Sequence, residues 1–281
     1  MKKVYKEIFS FFIMVNIISC LLWLPALLTP SNNELSSLTA LLVKAGDFIP
    51  SSISILLTAL TLGKSGLGEL FKRTIDIRLG LRWHCFALLL MPFVLVTAYL
   101  LSYFIADLKF NSLLAPIIFP KIWTVFLLIV YFIIMQGPLG EELGWRGYAL
   151  PRLLSIMSPM SSSIVLGLVW SVWHLPKFFM EDTIQHSITL AYGIGVALIG
   201  YTIYTILLTI TMTILFIKTN GSVFGALVFH AMSNFSHGLV TILTDPIGGL
   251  CILIVMLIAT MVLIKLYGRN LYEKTTSISF L

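Results

Sequence analysis

Charge is scarce in this chain: 11% of its 281 residues are Asp, Glu, Lys or Arg, where soluble domains carry about 25%. With 58% hydrophobic residues and a mean hydropathy of +1.00, that shortage excludes an ordinary soluble domain and describes a polytopic membrane protein. Cysteine is almost missing too. Cys20, Cys85 and Cys251 all lie in apolar runs without pairing spacing, so they frame no disulfide scaffold and read as buried, inert thiols. No internal repeat, low-complexity tract or linker interrupts the chain, which argues for one membrane domain over residues 1–281. The basic excess, 18 Lys+Arg against 12 Asp+Glu, falls between apolar runs. It therefore speaks for orientation in a bilayer and against nucleic acid as a partner.

A span needs roughly 20 apolar residues. Eight are expected, at about 8–28, 46–63, 83–104, 121–143, 159–176, 189–217, 221–243 and 247–266. The start resembles a secretory signal, but LLWLPALL carries the apolar run past Cys20, beyond a signal core of about 7–15 residues. With the N-terminus in the cytosol, only Lys44, Lys109, Lys121 and Lys177 fall outside and the other basic residues, Arg269 and Lys274 among them, fall inside. An even number of spans returns both termini to the cytosol, the strongly basic side. The fold class read from this pattern is an all-α transmembrane bundle. The stretch GKSGLGELFKRTIDIRLGLRW (63–83) alternates basic and apolar residues as an interfacial helix on anionic lipid does.

Against this background, three polar groups stand out within or at the ends of spans: Glu141, Glu142 and Arg146; then His174; then His230 with Asn234. Intramembrane charge is costly and marks function by default. Glu142 and Arg146 are i,i+4 with the acid first, the favourable order for a helical ion pair. Glu141 lies about 100° away around the helix. The pair is expected to hold structure while Glu141 does chemistry. His230 and Asn234 share one helix face, and His237 is a further candidate for the same stripe. Gly140, Gly144, Gly167, Ser171, Gly225, Ala226 and Ala231 surround these groups and permit close helix approach. Convergence of the three sets requires the fourth helix to run on to about residue 154 before the turn at 155–159, with a kink expected at Pro138.

A Glu and a His flanking one water can hydrolyse a peptide bond, with His and Asn as donors to the oxyanion. Alternatively, Glu141, His174 and His230 supply the ligand types of a catalytic zinc site. Both readings, no metal or Zn2+, are open from the residues alone. HExxH is absent, which removes the usual zinc-protease helix. No Asp lies mid-span, and GKSG (63–66) places its Ser65 in a basic loop without a histidine partner.

The set EELGWR (141–146), WSVWHLP (170–176) and HAMSN (230–234) resembles the CPBP intramembrane proteases, which comprise type II CAAX prenyl endopeptidases together with bacteriocin-processing or immunity and abortive-infection (Abi) proteins. The resemblance covers about 121–243. It implies an integral membrane endopeptidase in which Glu141 and His174 activate water, His230 and Asn234 stabilise the oxyanion, and Glu142 and Arg146 support the site. Members of this family have been described both as metalloproteases and as glutamate-dependent enzymes. One residue departs from the pattern: Trp170 stands where the family usually has Phe, a change expected to alter packing more than chemistry. The expected partners are a peptide or protein substrate and the lipid bilayer, in a plasma membrane of bacterial type; the C-terminal SISFL carries no prenylation box. The competing reading is a non-enzymatic immunity or scaffold protein that keeps the fold and binds a toxin or transporter. A proton-coupled transporter fits less well, because no inverted repeat is visible.

Overall fold

The computed structural model describes residues 2–29, 36–109, 111–112, 115–118, 121, 123–268 and 271–272. Arg269, Lys274 and the SISFL terminus lie outside the described residues. The elements are α1 (Lys2–Leu28), α2 (Ser37–Asp47), α3 (Ile49–Ile75), α4 (Leu81–Ala106), α5 (Ala115–Ile118), α6 (Thr124–Met135), α7 (Pro138–Glu142) and a π-helical segment, Leu143–Ala149. After these come α8 (Leu150–Ile156), α9 (Pro159–Trp173), a 3₁₀ turn at Leu175–Phe179, α10 (Ile184–Tyr192), α11 (Ile194–Lys218), α12 (Val223–Leu239) and α13 (Pro246–Tyr267). The described residues contain no strand.

Five helices, α1, α3, α4, α11 and α13, are long and apolar enough to cross a membrane singly. Two bent pairs raise the number to as many as seven: α6 with Pro138–Ile156, at 42°, and Pro159–Phe179 with α10, at 76°. The eight expected spans differ from this at 221–243. That segment forms α12, of 17 residues, and it packs against α4, α6, α11 and α3. Burial along nearly its whole length makes it a core helix, so its polar residues face protein instead of lipid.

Local chemistry sets the ends of the site-bearing helices. The Ser158 hydroxyl accepts from Ser161 N and Pro159 fits the first helical position, starting α9. Ser222 caps α12 by accepting from Gly225 N at 3.0 Å. Gly137, at φ +103, breaks the chain between α6 and α7 just before Pro138, and the fourth helix then continues to Ile156 through the π-helical turn. Both the kink and the continuation match the sequence expectation.

Small residues bring these elements together. A Cβ on Gly140 would meet Asp47 O at 2.6 Å, and one on Gly144 would meet the Pro50 carbonyl C and O at 2.6 Å. A Cβ on Gly167 would meet Ile206 Cα at 2.8 Å. Gly144→Ala should therefore push the π-helical segment off α3, at a cost of about 1–3 kcal/mol typical of overpacking. A lowered melting temperature of the detergent-solubilised protein is the readout.

Two of the three cysteines do not sit where expected. Cys251 is buried, but Cys20 and Cys85 are exposed on the outer faces of α1 and α4. An apolar run in a membrane protein can face lipid as readily as the protein interior, so hydropathy does not predict burial there. The 63–83 stretch extends α3 through a kink at Gly63 (φ 63, ψ −155). It exposes Phe71, Ile75, Ile77 and Leu81 beside Lys72, Arg78 and Arg82.

Basic residues distant in sequence meet shared partners in the fold. Arg82 and Lys218 both lie over the Tyr267 ring, at 5.0 and 6.0 Å. Arg152 Nε donates to Glu7 Oε2 at 2.9 Å, and Arg73 donates to Gly147 O at 2.9 Å. Lys44 and Lys177 share the Asp47 carboxylate, at 3.9 and 2.7 Å.

Candidate active site

The loop-free course of the chain from Pro138 to Ile156 carries Glu141, Glu142 and Arg146 into the interior, where their side chains are 4%, 0% and 0% exposed. Such burial is tolerable only with partners. Arg146 donates to Glu142 Oε1 at 2.9 Å, and its other terminal nitrogen reaches the Thr209 hydroxyl at 3.4 Å. His230 Nδ1 lies 2.7 Å from the same Glu142 oxygen. The i,i+4 pair expected from sequence is present, and it also anchors a histidine from α12. That second duty was not visible in the sequence, because the contact joins residues 88 positions apart.

Glu141 points elsewhere. Its Oε2 accepts the indole N–H of Trp170 at 2.7 Å, and its Oε1 lies against Gly137, where an added Cβ would come within 2.6 Å. Oε1 has no hydrogen-bond partner among the described residues, so one face of the carboxylate is open to act on a ligand.

Trp170 sits at the centre of the cluster. Its ring lies 5.9 Å from the His174 ring and 5.3 Å from the His230 ring, both edge-on, and the Arg146 guanidinium lies over it at 4.6 Å. The three polar sets on α7, α9 and α12 thus converge around one indole. The indole also supplies what a phenyl ring lacks: its N–H donates to the Glu141 carboxylate.

Hydrogen bonding fixes the histidine tautomers. His174 Nδ1 is 2.9 Å from Trp170 O. A carbonyl oxygen only accepts, so Nδ1 carries the proton and Nε2 keeps its lone pair. His230 presents Nδ1–H to a carboxylate in the same way, which turns Nε2 to the other side of the ring. Asn234 Nδ2 donates to Gln136 O at 2.9 Å, tying α12 to the break between α6 and α7. One of its amide hydrogens is thereby engaged, and among the described residues the other is not. His237 does not join the stripe: its Nε2 meets the Tyr204 hydroxyl at 3.0 Å. Among the described residues no group of three or more His, Cys, Asp or Glu side chains is placed to hold a metal ion. The Nδ1 atoms of His174 and His230 are held by Trp170 O and Glu142, which leaves Nε2 of each ring available to a water, a substrate or a metal ion.

A shell of aromatic rings encloses the site. Trp173 packs on His174 at 4.7 Å, on Trp145 at 5.8 Å and on Trp23 at 5.1 Å. Lys177, one turn beyond His174, donates to Asp47 and lies over the Trp23 and Trp173 rings. Trp145 and Trp173 belong to the motif-bearing segments themselves, whereas Trp23, Asp47 and Lys177 come from α1, α2 and the 3₁₀ turn.

Comparison with known proteins agrees with this geometry. The family model of type II CAAX prenyl endopeptidase Rce1-like proteins matches residues 121–236, which contain every residue of the cluster. Over 249 residues, the chain is 26% identical to CAAX prenyl protease 2 of Methanococcus maripaludis, covering 84% of this chain and 85% of the relative. The motifs and both similarities coincide on one segment, and this multi-pass membrane protein is similar there to the CAAX-type intramembrane proteases.

Proposed function

We propose that the protein is an intramembrane endopeptidase that cleaves its substrate with a water activated by Glu141 and His174. The observation that carries this reading is the gathering of Glu141, His174 and His230 around Trp170, where Oε1 of Glu141 and Nε2 of His174 have no hydrogen-bond partner among the described residues. In the proposed step Glu141 takes a proton from water while the oxygen attacks the scissile carbonyl carbon. Nε2 of His174 accepts from the same water and orients it. The carbonyl electrons move to the oxyanion, which meets Nε2–H of His230 and the free amide hydrogen of Asn234. The Glu142 carboxylate balances a proton on that His230 ring. Collapse breaks the C–N bond, and Glu141 returns its proton to the departing amine.

The proposed step uses a water activated by Glu141 and His174 alone; a zinc ion held by Glu141, His174 and His230 is the alternative that the chelator arm below tests. The substrate is a peptide segment presented at the membrane, processed in a plasma membrane with both termini of the enzyme in the cytosol. The name of the archaeal relative makes a prenylated segment one candidate class. Leader peptides, bacteriocins and membrane-anchored regulators are the others.

The test compares peptide termini from membranes and medium of cells that express wild type or Glu141→Ala at matched levels. New termini that require Glu141, and that persist after o-phenanthroline treatment, are the expected result. Termini lost with the chelator would restore a metal to the mechanism. No Glu141-dependent termini, together with equal protection of the cells against a toxin by both forms, would establish a binding or immunity role instead.

A further inference from the structure

We propose that Trp170 is a positioning residue for Glu141, a role that rests on the protease reading above and that the indole N–H performs. Among the described residues that N–H is the sole hydrogen-bond donor to the Glu141 side chain. Arg146 spends its bonds on Glu142 and Thr209 and reaches Trp170 only through the face of the ring. A buried carboxylate without a donor has no fixed direction. Here one bond of 2.7 Å pins Oε2, while the Gly137 backbone limits where Oε1 can go.

The indole itself is held from several sides. Arg146 covers one face, the His230 and His174 rings stand edge-on to it, and its own carbonyl receives Nδ1–H of His174. One residue therefore sets both members of the water-activating pair: the side chain directs Glu141, and the main chain fixes the tautomer of His174. A phenyl ring at this position preserves the second function and abolishes the first. Chains with Phe here must orient the carboxylate by other means, whereas this one depends on tryptophan.

Trp170→Phe is expected to lower kcat on the order of 100-fold, the scale of a reacting group displaced by about 1 Å, with KM unchanged. The substrate for this assay is a quenched fluorescent peptide spanning a cleavage site defined by the Glu141-dependent termini. Because Phe also shrinks the ring, a second variant carries at position 170 the benzothiophene isostere of tryptophan, in which sulfur replaces the N–H. It should lose as much as Trp170→Phe. An isostere with wild-type kcat would show that ring volume alone matters and would overturn the proposal. A direct readout accompanies the kinetics. Among the six tryptophans, the indole N–H resonance missing from Trp170→Phe should be shifted downfield in wild type and should move in Glu141→Ala. A resonance indifferent to Glu141 refutes the bond. Wild type that generates no Glu141-dependent termini defeats the protease reading and this role with it; normal wild-type cleavage with unaffected Trp170 variants defeats this role alone.

Discussion

Glu141→Gln is expected to reduce cleavage by about 10²–10⁴-fold, the range contributed by a positioned general base, while the amount of folded protein in the membrane stays the same. The carboxamide is close to isosteric with the carboxylate. Its carbonyl oxygen can still accept the Trp170 N–H that Glu141 Oε2 accepts at 2.7 Å, so the packing around the indole has no reason to change. What disappears is the capacity to take a proton from water at the position of Oε1. Rates on the terminus-derived peptide, set beside the melting temperature and membrane abundance of the same variant, separate these two consequences. A variant that turns over near the wild-type rate would remove Glu141 from the chemistry.

Much of this site could be read from sequence because its pieces are local. Glu142 with Arg146 and His230 with Asn234 each occupy consecutive turns of one helix, so spacing alone fixes their relative direction. Pro138 announced the break before Glu141, and Gly140 and Gly144 announced a close helix approach without saying which helix would make it. The missing parts are contacts between helices. Nothing in the spacing joins Trp170 to Glu141, His230 to Glu142 or Asn234 to Gln136 O. Each is a single hydrogen bond across 29 to 98 residues. Hydropathy erred for a related reason. It registers an apolar environment without distinguishing lipid from protein, so it misplaced Cys20 and Cys85 as buried. A tryptophan in such a chain scores only as a large apolar group, and its one donor goes unnoticed.

The two adjacent glutamates should fail in different ways, and Glu142 carries the larger effect on stability. Its Oε1 holds both Arg146, at 2.9 Å, and His230, at 2.7 Å, in a fully buried setting. Glu142→Gln removes the anion and leaves the Arg146 guanidinium buried with only the long contact to Thr209 and the face of Trp170. Breaking a buried pair from one side costs about 3–5 kcal/mol, because the remaining charge is uncompensated. Low membrane abundance and a depressed melting temperature are expected alongside lost activity. Removing both charges together, in Glu142→Leu with Arg146→Leu, should recover most of the stability, since well-packed apolar replacements of buried ion pairs are often neutral. It should not recover cleavage, because His230 then has no acceptor for Nδ1–H and no anion to balance a proton on its ring. If Glu142→Gln instead matches Glu141→Gln in stability, the separation of a structural glutamate from a reacting one collapses, and both carboxylates must be assigned to the reaction.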